Sequence, residues 1–434
     1  MGVAIAVVVS NVIGTGIFTT SGFLAQDLKS PGLLLFIWVL GGALALAGAL
    51  CYGELGARFP RSGGEYVFLR EVYGPLPAFL TGWGSFLVGF SAPIAANAIA
   101  FTAHLSYFFP ALSDAGLGFK PSHVVAVFTI FFFSLVHRRT AEVGARFHVG
   151  VTVVKVTLIV LLIVGAPLVG RGSFTHFEET VPILWSDAMP ALAVGLIFVM
   201  FSYSGWNAAA YIGEELKDPS RTLPRALLYG TFIVVAIYVG LNVVYLYALP
   251  ITDMMGVVRV GERAAHKLFV AQAAPFLSIL FMATMLGSVS AMVIAGPRIY
   301  FAMARDGLFF QSIARVHPKF KTPSTAILLQ ATWSSILAVS GRFDQLLTFS
   351  GVVLLVFTGF TVSGLFVLRR NPSDRHTGYR TWGYPFTPAL FLVLITWSLV
   401  YTLIHRPWES AAGLGLCALG VPVYYAFQWK ARSR

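Results

Sequence analysis

Charge is scarce in this 434-residue chain: Asp, Glu, Lys and Arg make up 11% of it, where a soluble domain carries roughly 25%. Cysteine is nearly absent. Cys51 and Cys417 both lie inside apolar segments, which excludes an extracytoplasmic disulfide framework. His104, His148, His266 and His317 are scattered without ligand spacing, so no metal site is expected. Phosphate loops, nucleophile triads and nucleotide-binding motifs are also missing, and no cofactor is expected. No cleavable signal peptide is read, because the first apolar segment continues through Gly14 and Gly16 without a small-residue cleavage site.

What is abundant is apolar. Hydrophobic residues reach 57% and aromatic residues 14%, and mean hydropathy is +0.78. The chain therefore reads as an all-α integral membrane protein whose partner is the lipid bilayer, not nucleic acid, despite a net charge of +12. Twelve segments are long enough to span, at ~20 residues each. They cover 2–27, 33–57, 76–108, 121–136, 144–169, 185–215, 224–250, 273–304, 324–340, 345–368, 383–404 and 410–429. Two connecting stretches, Arg61–Gly74 and Gly256–Ala274, read as short interfacial helices. With the amino terminus inside, 21 of the 30 Lys and Arg fall on the cytoplasmic face, eight fall outside and Lys155 lies within a segment. Both termini are thus expected in the cytoplasm of a cell (inner) membrane protein. The chain begins almost inside its first segment with no basic lead, which leaves open a start upstream of Met1.

The first segment is interrupted at Asn11-Val12-Ile13-Gly14-Thr15-Gly16-Ile17-Phe18. Unpaired backbone cannot face lipid, so an interruption at membrane depth is expected to line a cavity. The half-helix starting near Ile17 offers free N–H groups and a positive dipole end to a carboxylate. The half ending near Val12 leaves carbonyls free for an ammonium. Together they suit the head group of a free amino acid; the competing reading is a small-residue packing contact. Five segments later, Phe201-Ser202-Tyr203-Ser204-Gly205-Trp206-Asn207 is a matching interruption, with Phe201 as a gate, Trp206 shaping the pocket and Tyr203 a core aromatic. Five helices per unit is odd, so the second unit is inverted: 1–169 and 185–370 form two repeats of one transporter domain, 1–434, with 383–430 outside them.

Lys155 sits about three turns into the fifth segment, where a lysine costs roughly 2.5–3.5 kcal/mol and must face protein. Snorkelling to the interface is the alternative, disfavoured because Arg146 lies nearer that edge. Glu54 with Arg58, Glu65 with Arg61, and Glu214 and Glu215 with Lys217 and Arg221 read as local ion pairs. Asn207 is expected to bond neighbouring backbone. No Asp or Glu lies near either break in sequence, which disfavours cationic substrates and polyamines. The absence of a spare Arg there disfavours acidic ones, and Ala208, Ala209 and Ala210 leave room, so neutral, small to medium amino acids are expected. An ion channel lacks its filter and its Arg ladder here, and a membrane enzyme lacks its catalytic cluster.

Ile13-Gly14-Thr15-Gly16-Ile17-Phe18 resembles the first-helix signature of the amino acid–polyamine–organocation (APC) superfamily. The run from Tyr52-Gly53-Glu54 through Arg61-Ser62-Gly63-Gly64-Glu65-Tyr66 is similar to that superfamily's second helix and following loop. Phe201 to Asn207, with Glu214-Glu215-Leu216-Lys217-Asp218-Pro219 and Leu223-Pro224, resembles the L-type amino acid transporter branch, bacterial members above all. Gly287-Ser288-Val289, Pro297-Arg298 and Ala304-Arg305-Asp306-Gly307 look like the eighth helix and its exit. The resemblance implies the five-plus-five inverted-repeat fold first seen in a bacterial leucine transporter, with discontinuous helices one and six. It implies a carboxylate on Thr15, Gly16 and Ile17 and an ammonium on the carbonyls of Val12, Phe201 and Ser202; Gly14, Ser204 and Gly205 complete the expected site. It further implies that Lys155 stands where sodium-coupled relatives bind an ion, donating to a carbonyl near Gly14 or Gly16 and to Ser288, with Thr284 in reserve. Transport is then sodium-independent, with Lys155 cycling a proton in a symporter or tying helices together in an exchanger. Polyamine or cationic amino acid antiport is the alternative within the superfamily. Eukaryotic relatives of the branch disulfide-bond to a partner through an external cysteine; the loop Pro110–Pro121 has none, so no covalently linked subunit is expected. Oligomeric state is left open.

Overall fold

The computed structural model describes residues 1–113, 121–139, 141–169, 171–257, 259–269, 274–340, 343–370 and 378–432, and these are helical without a strand. In chain order the helices are α1 (Gly2–Val12), α2 (Gly16–Leu28), α3 (Pro31–Arg58), α4 (Glu65–Tyr73), α5 (Pro75–Gly84), α6 (Ser91–Leu105), α7 (Pro121–Arg139), α8 (Ala141–Val169) and α9 (Trp185–Ser202). They continue as α10 (Pro219–Ala248), α11 (Ile251–Met254), α12 (Val260–Leu268), α13 (Ala274–Arg305), α14 (Ser324–Ser340), α15 (Phe343–Arg369), α16 (Phe386–His405), α17 (Pro407–Ala418) and α18 (Gly420–Arg432). Ten stretches among the described residues are long and apolar enough to cross a bilayer, eleven when α1 and α2 count as one bent span; α14 is a shorter apolar helix of 17 residues. The chain is a multi-pass membrane protein. The connecting stretches read as interfacial helices contain α4 and α12.

Local chemistry explains the boundaries that matter. At Ser30 the hydroxyl accepts from Leu33 N at 3.4 Å, and Pro31 occupies the first position of α3, where its missing N–H costs nothing. α1 stops at Val12 because Ile13 is extended (φ −72°, ψ 94°), and the helix restarts at Gly16 on an axis bent by 40°. The sixth segment departs from expectation. Its α-helix, α9, ends at Ser202, Gly205 turns the backbone at φ +100°, and Ala208–Glu215 follows as a 3₁₀ stretch, so the segment does not resume as a second α-helical half. α1 packs against α8, α10 and α13, and α2 packs against α9 and α12, which puts both breaks inside the bundle. Trp38, Tyr203 and Tyr238 form a buried aromatic cluster beside them, with ring centroids 4.9–5.7 Å apart.

Candidate functional site

The two breaks lie back to back. A Cβ on Gly16 would stand 2.7 Å from Ser202 Oγ and 2.9 Å from Ser202 Cα, so only glycine lets the start of α2 touch the end of α9. A Cβ on Gly205 would stand 2.2 Å from Asn11 Nδ2, and the positive φ there is itself a glycine conformation. The hydroxyls of Thr20 and Ser202 lie 2.9 Å apart and clamp the junction.

Each break exposes backbone polar groups. Gly16 and Ile17 open α2, so their N–H groups have no partner within the helix, and Thr15 at the cap makes no side-chain bond to them. Opposite them, the carbonyls of Val12 and Ser202 face one another across the Tyr238 hydroxyl, 2.8 Å from the first and 3.0 Å from the second. Those carbonyls, expected to be free, thus share one donor from α10. A carbonyl carries two lone pairs and a hydroxyl one proton, so both retain acceptor capacity. The Phe201 carbonyl accepts from Ser204 N at 2.9 Å. A cavity of about 20 Å³ is lined by Val12, Gly14, Thr15, Gly16, Phe201, Ser202 and Ser204 among others; Ile17 and Gly205 are not in its lining. Trp206 is buried edge-on against Tyr52, 4.7 Å between centroids, and Tyr203 is a buried core aromatic whose hydroxyl donates to Trp38 O.

Lys155 is fully buried on α8, and its ammonium donates to two carbonyls at the end of α1: Ser10 O at 3.0 Å and Ile13 O. Ser10 lies within α1, whereas Ile13 is the extended residue just past its end and directly precedes Gly14. Ser288 does not bond Lys155; its hydroxyl has no partner, while Thr284 donates to Leu280 O of its own helix at 2.8 Å. Gly287, not Ser288, brings α13 against the lysine stem.

Other local pairings are overturned by long-range ones. Glu65 does not pair with Arg61, which sits 3.7 Å from Glu71. Its buried carboxylate accepts from Tyr52 at 2.5 Å, Asn207 at 2.8 Å, Thr81 at 3.3 Å and Thr358 at 3.5 Å. Burial pushes the Glu65 carboxyl above its ordinary pKa, an effect its donors only partly offset. Asn207 bonds side chains, Glu65 and Tyr211, instead of neighbouring backbone. Glu214 and Glu215 reach Arg305 and Arg298 on α13. The Glu54–Arg58 pair is present, joined by Arg369 at 2.5 Å and by Thr381 N. Glu65 also corrects the reading that no acid lies near a break: with Ser204, Gly205 and Asn207 it lines a second cavity of about 40 Å³, which shares Asn11, Pro93, Ser204 and Met292 with the first. The sequence reading gives Glu65, Asn11, Asn97 and Tyr238 no role in the site. The signal available for the two asparagines was an amide within a spanning segment, which seldom faces lipid.

Known proteins resemble the chain from end to end. It is 30% identical to the serine/threonine exchanger SteT of Bacillus subtilis (strain 168) over 99% of this chain and 96% of that protein. It is 28% identical to the human cystine/glutamate transporter, over 98% and 83%, and 27% identical to the mouse Asc-type amino acid transporter 1, over 99% and 81%. The family described as amino acid permease matches residues 3–414, so the chain belongs to the amino acid permease family, within the APC superfamily.

Proposed function

We propose that the protein is a secondary active transporter of free, neutral amino acids, working by alternating access and without sodium, as an exchanger or a proton-coupled symporter. The observation that carries this reading is the pair of apposed helix breaks. Around one small cavity they offer the N–H of Gly16, with that of Ile17 next to it at the start of α2, and carbonyls at Val12 and Ser202, the two halves of a zwitterion receptor. The names of the relatives, all carriers of amino acids, support the same class. The cationic alternative is not favoured, since Glu65, the acid lining the adjoining cavity, is already engaged by four side-chain donors.

In this reading 1–169 and 185–370 are inverted repeats, and 383–430 stands outside them. The basic-residue bias puts both termini in the cytoplasm of a cell (inner) membrane protein. Lys155, tied to α1 at Ser10 and to the break at Ile13, takes the place of a coupling cation; Ser288 lines the site without bonding the lysine, and Thr284 bonds only its own helix. Phe201 gates the cavity; Trp206, expected to shape the pocket, is not in its lining and packs on Tyr52. The subunit works without a disulfide-linked partner. Purified protein in proteoliposomes loaded with unlabelled amino acid tests the function. External labelled neutral amino acids should accumulate by counterflow at equal rates with and without sodium. A requirement for a sodium gradient would overturn the coupling, and an absence of counterflow with every amino acid would overturn the function.

A further inference from the structure

Three buried polar atoms beside the breaks have no hydrogen-bond partner: Asn11 Oδ1, Asn97 Oδ1 and Ser288 Oγ. They come from α1, α6 and α13, and their residues are 3%, 3% and 0% exposed. All three residues line the cavity at Gly14–Gly16. Two of the atoms converge there, for a Cβ on Gly14 would stand 3.1 Å from both Asn97 Oδ1 and Ser288 Oγ. The orientation of Asn97 is fixed by its other end: Nδ2 donates to Pro93 O at 2.8 Å, so the oxygen is the atom left facing inward.

An unpaired buried polar group costs about 1–3 kcal/mol, so three around one cavity are expected to be satisfied by whatever fills it. Two are amide oxygens, which accept only; what they lack is a donor. The third, a hydroxyl, can accept or donate. No ionised side chain lines this cavity; its remaining walls are the apolar Pro93, Ala96, Phe201 and Met292 and the small residues of the breaks, among them the hydroxyl-bearing Thr15, Ser202 and Ser204. A charged side chain finds no counterion there, and a purely apolar one leaves the amide oxygens unpaired.

We propose that Asn97, Ser288 and Asn11 read the substrate side chain and select small amino acids bearing a hydroxyl donor over their apolar isosteres. This rests on the amino acid transport reading above and assigns the part of the site beyond the head group. A site built to bond a hydroxyl discriminates against the analogue lacking it, because its own polar groups are then stranded. One or two such bonds correspond to a preference of about 10- to 100-fold.

The test is counterflow in proteoliposomes with two isosteric comparisons, serine against alanine and threonine against valine. The expected result is a 10- to 100-fold higher kcat/KM for the hydroxylated member of each pair. In S288A and N97A the serine-to-alanine ratio should fall about tenfold, read within each variant so that altered expression cancels. Equal use of both members of each pair by the wild-type protein overturns the assignment while leaving amino acid transport standing. Failure of every amino acid to exchange overturns the transport reading itself. Wild-type discrimination that persists undiminished in both variants removes Asn97 and Ser288 from the role. Where a variant does not fold, the wild-type comparison decides.

Discussion

Replacing Lys155 with methionine separates the lysine's contribution to stability from its contribution to transport. Methionine keeps an unbranched apolar stem and removes the donor. The ammonium makes two bonds, to Ser10 O and Ile13 O, and bonds from a charged donor contribute about 1.5–3 kcal/mol each. No acidic side chain pairs with it among the described residues, so its burial is not offset by a counterion. That burial costs several kcal/mol per ion, which K155M recovers. The two terms are of similar size, so the thermal stability of purified K155M should change by less than ~2 kcal/mol. Transport should respond quite differently. Ile13 is the extended residue on which α1 ends, and without its donor the break is no longer held against α8. Counterflow by K155M is expected to drop to background while the protein remains folded. K155R should not restore it, because a bulkier, planar guanidinium must enter a fully buried site. K155M with wild-type counterflow would refute the tie between α8 and the break; K155M that unfolds would refute the cancellation.

Three further perturbations probe the same region. G205A adds a Cβ 2.2 Å from Asn11 Nδ2 at a residue with φ +100°, which should cost about 2 kcal/mol or more, lower the melting temperature and abolish uptake. Y238F removes the donor shared by Val12 O and Ser202 O; substrate-free protein should melt lower, while added amino acid should stabilise it more than it does wild type, by about 1 kcal/mol. Glu65 predicts a pH dependence. Its carboxyl pKa is raised by burial, so the native state favours the protonated form; that stabilisation is complete below the ordinary carboxyl pKa and is lost as pH rises through the raised value. Melting temperature should therefore decline across that window in wild type, and the slope should flatten in E65Q; an identical slope in both would assign the effect to another group.

Much of the molecule was legible in its residues because the relevant physics is local. Apolar runs of spanning length, glycines interrupting two of them, and one lysine in a third stand out without knowledge of any neighbour. The breaks at Gly14–Gly16 and Gly205 lie where composition put them, since a residue without a Cβ inside an apolar helix needs a reason at membrane depth. Local reasoning went astray wherever it chose partners by proximity in sequence. Sequence proximity pairs Glu65 with Arg61 four residues away, yet it bonds Asn207 in the second break and Thr358 on α15. Glu215 was assigned to nearby lysine and arginine but reaches Arg298.

By itself, then, the sequence determined a membrane-embedded helical protein, its two interruptions and the buried lysine, because hydropathy and missing Cβ atoms act residue by residue. Only the tertiary structure decided what those interruptions touch. Gly16 meets Ser202, Gly205 meets Asn11, Tyr238 spans the two carbonyls, and Asn97 and Ser288 converge unpaired on Gly14. Those contacts join residues far apart in the chain, Gly14 and Ser288 farthest, and which polar group meets which is set by how the helices pack, a property of the whole bundle that no stretch of sequence carries alone.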